Sequence, residues 1–193
     1  MRKLELKDLW PLPVYEGVRY QFRREVIAGK QARRVTVGPF MTFVFENRLT
    51  VKFQVQEILR AERITDEAQV LEELAGFNEM LPGRGELSAT LLIELIGSDS
   101  EVKAQLAPLT GLGDHLWLEA GGARSRAIVE GGRDDGRRVA AVQYVRFPVP
   151  DLPALRQGRA ALVVDHPAYT HRQELSEATR RSLAQDLLPE NVP

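Results

Sequence analysis

The chain has 193 residues, of which 44% are hydrophobic and 27% are charged, a composition typical of a soluble protein that buries a sizeable core. It contains no cysteine, which excludes disulfides, thiol catalysis and any iron–sulfur cluster or zinc ion held by cysteine. The net charge of −1 and the pI of about 6.3 argue against nucleic-acid binding, for which a strongly basic domain is usual.

The small net charge results from segments of opposite sign. Residues 1–34 contain nine Lys or Arg against four Asp or Glu, and residues 64–120 contain two against eleven. Such segregation can steer a charged partner or join two parts of one fold. Charged residues stand where a signal peptide needs an apolar core, and no apolar run reaches the ~20 residues of a membrane span. We therefore expect a cytoplasmic protein without a membrane partner.

The N-terminal third of the chain is predicted to be rich in helix. Apolar residues recur at helical spacing between residues 15 and 31, which predicts a first helix. Two short apolar runs at 35–37 and 40–45 are typical of strands. Helical spacing returns over 66–81, where Thr65 can cap the first turn.

The stretch from Phe45 to Ile64 mixes seven charged residues and three amides with regularly spaced apolar residues. It predicts a turn at Asn47 followed by a helix, with Thr50 as the N-terminal cap. A β-hairpin is the alternative, because apolar residues also alternate from Leu49 to Val55. The Glu, Leu, Arg and Ala content that follows favours the helix.

The rest of the chain is predicted to be rich in β-structure. Alternating apolar residues predict a strand over 87–96. Further on, Gly121-Gly122 separates two strand-like segments and predicts a tight hairpin. A third strand over 137–149 completes a predicted three-stranded meander over 115–149. One more strand is predicted at 161–164, followed by a C-terminal helix.

The predicted hairpin determines which side chains face each other across the two strands. With a two-residue turn, Glu119 lies opposite Arg124, and Trp117 lies opposite Arg126. One pair can be ionic and the other a cation–π contact.

Together these elements predict an α+β fold, in which helices from the N-terminal third pack on one face of a mainly antiparallel sheet. We expect a single domain over 1–193. It divides into a helix-rich part at 1–82, a sheet-rich part at 83–165 and a C-terminal helix within 166–193.

The polar residues of the 45–64 stretch are candidate binding residues. The forked guanidinium of Arg suits carboxylates and phosphates, so these side chains can converge on a buried network or an anionic ligand. The simpler interpretation is a solvated helix face with ordinary ion pairs. The candidates are Glu46, Asn47, Arg48, Gln54, Gln56, Glu57 and Arg60.

His166 and His171 are candidate metal ligands, with Asp165 beside them, because imidazole suits iron or zinc. Their spacing matches no metal-binding signature. A turn at Pro167 and a helix cap at Thr170 explain the same segment more simply.

Four segments carry a family resemblance: FENR at 45–48, the Gln-Glu-Arg helix at 54–63, FNEMLP at 77–82 and ELSATLLIEL at 86–95. Through them, nearly the whole chain resembles an uncharacterised bacterial domain-of-unknown-function family. That family more often has Tyr at the position of Phe77, so this chain lacks a hydroxyl there. Its members are often encoded beside rubrerythrin-like iron proteins and iron–sulfur oxidoreductases. The resemblance therefore implies, by association, a link to redox or oxidative-stress chemistry.

Two functional hypotheses follow, and neither identifies a cofactor. The first is a cytoplasmic accessory or binding protein of an iron-dependent redox system, whose partner is an iron or iron–sulfur protein. Because the chain lacks cysteine, the redox centre then belongs to that partner or to a metal site without thiolates. The second is a small metal- or anion-binding enzyme that uses Arg48, Glu57, Arg60 and His166.

Overall fold

The computed structural model describes residues 1–132 and 139–188 of the chain. Within this part, six α-helices are formed, and none is long and apolar enough to cross a bilayer. The helices are α1 (Leu12–Gln31), α2 (Arg48–Ala61), α3 (Glu67–Asn78), α4 (Asp99–Leu106), α5 (Leu152–Gln157) and α6 (Glu177–Asp186).

Nine strands of the described residues form two sheets. They are β1 (Arg34–Val37), β2 (Met41–Phe45), β3 (Glu86–Ile93), β4 (Leu116–Ala120), β5 (Ala123–Arg126), β6 (Ile128–Val129), β7 (Val142–Pro148), β8 (Ala160–His166) and β9 (Tyr169–Glu174). The first sheet has the order β1-β2-β3-β7-β6, and the second has the order β5-β4-β8-β9. All of these neighbours run antiparallel, which confirms the predicted α+β class.

A hydrophobic core joins the two sheets. Leu87, Ala89 and Leu91 of β3 belong to it, and the second sheet contributes Leu118 and Leu162. These β3 residues share one face because strand side chains alternate with a period of two, as the sequence predicts. Burying a leucine side chain stabilises the fold by about 1.5–3 kcal/mol, so this core is a main source of stability.

The helices of the N-terminal third cover the other face of the first sheet. Ser88 donates from its hydroxyl to the carbonyl of Met80, just after α3, and Tyr144 of β7 packs against the apolar cluster formed by α2 and α3. Helix α1 packs along α2, where the Phe22 and Phe53 ring centroids are 5.9 Å apart. The predicted packing of helices on one face is confirmed.

Two of the predicted helices in the N-terminal third begin at caps that differ from those the sequence indicates. Helix α2 is capped by Asn47, whose Oδ1 accepts from the N–H of Thr50 at 3.0 Å. Thr50 is the third helical residue, and its hydroxyl accepts from the N–H of Asn47 at 2.9 Å, which completes a capping box. Helix α3 is capped by Asp66 rather than Thr65, because the Asp66 carboxylate accepts from the N–H of Gln69.

The predicted three-stranded meander over 115–149 is wrong. The segment that follows the hairpin divides at Ala127, so β5 pairs with β4 in the second sheet while β6 pairs with β7 in the first. The N–H of Ala127 donates to the carbonyl of Leu116 at 2.8 Å, and directly after this bond the chain crosses between the sheets. Part of the predicted turn and third strand, residues 133–138, lies outside the described residues.

The predicted tight hairpin between β4 and β5 and its register are confirmed, but the expected side-chain pairs are wrong. The Arg124 guanidinium lies 4.0 Å from the centroid of the Trp117 ring and also donates to Asp165 of β8. Glu119 pairs instead with Arg172 of β9, at 3.1 Å. Because β4 is an inner strand of its sheet, β8 and β9 supply partners that compete with those on β5.

Strand β9 occupies a segment for which the sequence predicts only a turn and a helix cap. Its residue Tyr169 pairs with His166 in a short β8–β9 hairpin, while the other five residues of β9 are exposed. The predicted C-terminal helix is confirmed as α6. Its cap is Ser176 and not Thr170, because the Ser176 hydroxyl accepts from the N–H of Thr179 at 3.1 Å.

Candidate functional site

A cleft of about 410 Å³ opens between α3 and the β7–β6 edge of the first sheet. Its volume lies in the range of small-molecule sites. Side chains of α3 form one wall, and residues of β6 and β7 form the other. Among the residues that line it are Glu46, Glu72, Phe77, Glu130, Tyr144 and Arg146.

Glu46 supplies a buried carboxylate to this cleft, and only 2% of the residue is exposed. It directly follows β2, and its N–H donates to the carbonyl of Ser88 in β3 at 2.8 Å. The next residue, Asn47, begins the α2 cap. Glu46 is therefore held at a junction of strand and helix, where its backbone has little freedom.

All described partners of the Glu46 carboxylate are neutral. Thr90 donates to Oε1 at 2.6 Å, Gln54 donates to Oε2 at 3.1 Å, and the Thr50 hydroxyl also donates to Oε2. An ionised carboxylate offers about four acceptor positions, so one position on Oε1 is unused. Burying an ionised carboxylate is costly unless a positive charge compensates it.

Carboxylates dominate the lining of the cleft. The described lining contains five glutamates, and its one cation is Arg146. The Arg146 guanidinium also lies 3.8 Å from the carboxylate of Glu86, which does not line the cleft, so Arg146 interacts with a negative charge outside it. Lys3 pairs with Glu79 at 2.9 Å, and the described charges of the lining are still mostly negative, which raises the local concentration of cationic ligands. The glutamates are Glu46, Glu72, Glu73, Glu79 and Glu130.

Two aromatic rings complete the walls. Phe77 of α3 and Tyr144 of β7 both line the cleft and are both half-buried against the apolar cluster of α2 and α3. Aromatic faces attract ammonium and guanidinium groups. The cleft therefore combines apolar ring surface with buried negative charge.

The Glu57 carboxylate, farther along α2, has a different environment. Arg19 of α1 donates to both of its oxygens, at 2.8 and 2.7 Å, and the Tyr15 hydroxyl donates at 2.7 Å. These hydrogen bonds, chiefly those from Arg19, lower the pKa of Glu57 to about 2, against the opposing effect of burial. Arg60 pairs with Glu16 of α1 at 2.9 Å. The carboxylates of Glu57 and Glu16 therefore both stabilise the contact between α1 and α2.

The other candidates of the 45–64 stretch also bind parts of the chain itself. Arg48 donates to two main-chain carbonyls of the N-terminal segment, at 2.6 and 2.8 Å, and forms an ion pair with Asp8. Gln56 is fully buried and bonds to both the N–H and the carbonyl of Trp10. The predicted polar residues thus do not converge on one network, and only Glu46 and Gln54 join the carboxylate network of the cleft.

His166 and His171 lie outside the cleft. The Nδ1 atom of His166 accepts from the N–H of Ala168 at 3.1 Å, and its Nε2 lies 3.0 Å from the carbonyl of Thr110, so main-chain groups occupy both ring nitrogens. His171 packs against Tyr169, with ring centroids 4.4 Å apart. In the described part of the chain, no three His, Cys, Asp or Glu residues lie close enough to hold one metal ion. Metal binding stays a prediction.

Sequence analysis missed Glu130 and Tyr144, which line the cleft, and Thr90, which donates to the Glu46 carboxylate. Thr90 is 44 residues from Glu46 along the chain and reaches it only through the β2–β3 pairing, in which Thr90 lies opposite Val44. One signal was available. Ser88 and Thr90 alternate with the apolar residues of β3, and polar side chains at alternate positions of such a strand indicate a polar contact on its second face.

The fold and the cleft define an α+β protein of two antiparallel sheets, with helices over one sheet and an acidic cleft between that sheet and α3. The chain belongs to the family described as protein of unknown function (DUF3501), whose model matches residues 3–187. The predicted resemblance to a family of this kind is thereby confirmed. The gene association inferred from that resemblance stays a prediction.

The chain is also similar to a solved protein of unknown function from Burkholderia pseudomallei. The two chains share 32% identity and a TM-score of 0.89, over 96% of this chain and 100% of the other. No curated protein matches this chain.

Proposed function

We propose that this protein binds a small organic cation in the cleft over Glu46. The observation that carries the proposal is the Glu46 carboxylate, which is 2% exposed, has only neutral described partners and keeps one acceptor position on Oε1 unused. A ligand N–H that carries positive charge fills that position and compensates the buried charge.

The ligand class follows from the walls of the cleft. The described side chains offer no group of three metal-binding residues, which favours an ammonium or guanidinium group over a metal ion. Phe77 and Tyr144 provide ring surface for such a group, and Glu72 and Glu130 line the same cleft. A compact amine or diamine suits a cavity of about 410 Å³.

The wider role of such binding is a separate question. We propose an accessory protein of an iron-dependent redox system, with an iron or iron–sulfur protein as partner and the cytoplasm as its location. This proposal rests on the family resemblance and on the absence of cysteine, which leaves thiolate-bound redox centres to a partner. A tagged pull-down from native cells at low salt tests it. Stoichiometric recovery of an iron protein supports the role, and recovery of the chain alone contradicts it.

Calorimetric titration with four probes that share a four-carbon chain tests cation binding directly. Putrescine and agmatine carry ammonium or guanidinium groups, butane-1,4-diol is neutral, and succinate is anionic. We expect heat of binding from the two cations alone. The Glu46→Gln variant should bind the cations at least about tenfold more weakly, because a charge-assisted hydrogen bond is worth about 1.5–3 kcal/mol.

Glu46→Gln is a suitable variant because its neighbours can adapt to it. The hydroxyls of Thr50 and Thr90 can accept as well as donate, so the new amide keeps hydrogen-bond partners. Equal binding of the diol and the diamine, or unchanged binding by Glu46→Gln, would contradict the proposal.

A further inference from the structure

Arg33 is a buried arginine next to the cleft residue Glu46. It lies between α1 and β1 and is 2% exposed. Its main-chain carbonyl accepts from the N–H of Phe45 at 2.9 Å, so its backbone already runs beside the end of β2. A guanidinium cannot lose its charge in a protein, so this buried cation needs several partners.

The Arg33 guanidinium holds the backbone on both sides of Glu46. Its Nε donates to the carbonyl of Phe45 at 2.9 Å, and its Nη2 donates to the carbonyl of Glu46 at 2.9 Å. These carbonyls belong to the two peptide groups that flank the Glu46 Cα. Together with the bond from the Glu46 N–H to Ser88, they fix the direction in which the Glu46 side chain leaves the backbone.

Helix α6 holds the other side of the same guanidinium. Nη1 donates to the Ser182 hydroxyl at 3.2 Å, and Nη2 forms an ion pair with Asp186. The side chains of Arg33 and Asp186 are 3% and 8% exposed, so solvent does little to screen the pair. The C-terminal helix is thus connected through one residue to the backbone of the cleft carboxylate.

Stability alone is a poor explanation for this pair. Burial raises the pKa of Asp186 above its ordinary value even though Arg33 acts in the opposite direction. Burial of this carboxylate therefore carries a desolvation cost that Arg33 offsets only in part. Buried ion pairs can often be replaced by apolar residues without loss of stability, whereas their directional hydrogen bonds specify one arrangement of the backbone.

We propose that Arg33 and Asp186 are positioning residues, which hold the Glu46 carboxylate in its binding orientation and make cleft affinity depend on helix α6. The expected effect on cleft affinity rests on the proposed function. The expected effect on the orientation of the Glu46 carboxylate does not, and it can be measured without a ligand.

Three variants and one control test the proposal. Arg33→Lys keeps the charge but loses the fork that reaches both carbonyls, Asp186→Asn removes the charge of the α6 partner, and Ser182→Ala removes one neutral hydrogen bond. Leu183→Ala serves as the control, because Leu183 is fully buried in α6 and belongs to the core between the sheets. It lowers stability by removing apolar packing from the core, while leaving every side chain that bonds to the Arg33 guanidinium unchanged.

Two readouts separate positioning from general stability. The first is the ¹³C chemical shift of the Glu46 carboxylate, together with the exchange rate of its amide proton. The second is the affinity for putrescine. We expect Arg33→Lys and Asp186→Asn to move both Glu46 signals and to weaken putrescine binding about tenfold, the scale on which residues behind a ligating side chain act. Ser182→Ala should move the same signals less, and Leu183→Ala should leave them unchanged.

The possible failures are distinguishable. If wild-type protein binds no putrescine, the cation-binding function is wrong, and the positioning proposal is judged by the Glu46 signals alone. If Arg33→Lys or Asp186→Asn does not fold, the Glu46 signals of Ser182→Ala test the positioning proposal instead. Unchanged Glu46 signals in the folded variants, or an equal change in Leu183→Ala, would overturn the proposal.

Discussion

Glu46 and Glu57 lie in the same stretch of sequence, and the structure gives them opposite environments. Glu46 is 2% exposed and accepts hydrogen bonds from two threonines and a glutamine. The Glu57 side chain is 27% exposed and is bonded by Arg19 and Tyr15. The more deeply buried carboxylate is the one whose described hydrogen-bond partners are all neutral, which is the reverse of what the cost of burying charge predicts for a purely structural residue.

The difference separates a carboxylate that accepts hydrogen bonds from a cation from one whose described hydrogen-bond donors are all neutral. Arg19 fills positions on both Glu57 oxygens and holds its pKa near 2, so this charge stabilises the α1–α2 contact. Glu46 keeps an acceptor position on Oε1 and lines a cleft rich in glutamate. The comparison therefore supports a structural role for Glu57 and the proposed binding role for Glu46.

A third carboxylate, Asp186, gives the largest expected effect. It is buried like Glu46 but paired with a cation like Glu57. Asp186→Ala leaves the charge of Arg33 buried without its partner, and we expect the free energy of unfolding to fall by about 3–5 kcal/mol. Urea denaturation measures this. A loss below about 1 kcal/mol would show that other groups stabilise the buried charge of Arg33, and it would weaken the contrast among the three carboxylates.

Glu57→Gln should destabilise the fold less, by about 2 kcal/mol at neutral pH, because it weakens charge-assisted hydrogen bonds from Arg19. Putrescine affinity should not change, since Glu57 is absent from the lining of the cleft. Denaturation and calorimetry on the same sample check both points. Loss of putrescine binding in this variant would contradict the assignment of Glu57 to structure.

The difference in the free energy of unfolding between wild type and Glu57→Gln should depend on pH. The pKa of Glu57 is lowered in the fold, from an ordinary value near 4.5 to about 2. A carboxylate with a lowered pKa stabilises the fold above its unfolded pKa, and this stability is lost as the pH falls through the folded pKa. The difference between wild type and Glu57→Gln should be constant above about pH 5 and should decrease between about pH 5 and 2. A difference that grows on acidification would contradict the ion-pair assignment.

Asn47→Ala tests the helix cap that follows Glu46. It removes the side-chain acceptor for the Thr50 N–H, and we expect a loss of about 1 kcal/mol. Thermal denaturation measures the loss. Asn47→Asp is the matched control, because Asp is an equally good cap and suits the positive end of the helix dipole. Equal destabilisation by both variants would show that the cap is not the cause.

Arg60→Gln should have the smallest effect, within about 0.5 kcal/mol, because its ion pair with Glu16 is solvent-exposed. The side chains of Arg60 and Glu16 are 36% and 54% exposed. Any effect should also shrink as salt is added. A loss of several kcal/mol in urea denaturation would place Arg60 in a buried network, which the sequence left open.

Local patterns were sufficient to predict the local structure. The helix over the 45–64 stretch, the two faces of β3 and the β4–β5 register all follow from the period of the apolar residues or from the two turn glycines. The division of one strand at Ala127 does not follow, because strand alternation carries no information about which sheet supplies the partner. Strand β9 was missed because five of its six residues are exposed, so it shows no apolar alternation.

The candidate site was predicted only in part, because the sequence pattern does not show which strands pair. Glu46 and Gln54 could be selected because they share one polar stretch. Thr90 and Tyr144 come from distant strands, and only the pairing of β2 with β3 and of β3 with β7 brings them beside that stretch. Sequence reasoning also gave the charged residues of the 45–64 stretch equal weight. In the structure, residues of α1 pair with Glu57 and Arg60, whereas the described hydrogen bonds to the Glu46 carboxylate come from neutral side chains.

Parallel titration of putrescine into wild type, Glu46→Gln and Glu57→Gln at neutral pH and low salt tests the central claim most directly. We predict measurable binding by wild type and Glu57→Gln with equal affinity, and binding at least about tenfold weaker by folded Glu46→Gln. Equal affinity of wild type and Glu46→Gln, or no binding by wild type, would contradict the claim that Glu46 is the anchor of a cation-binding site.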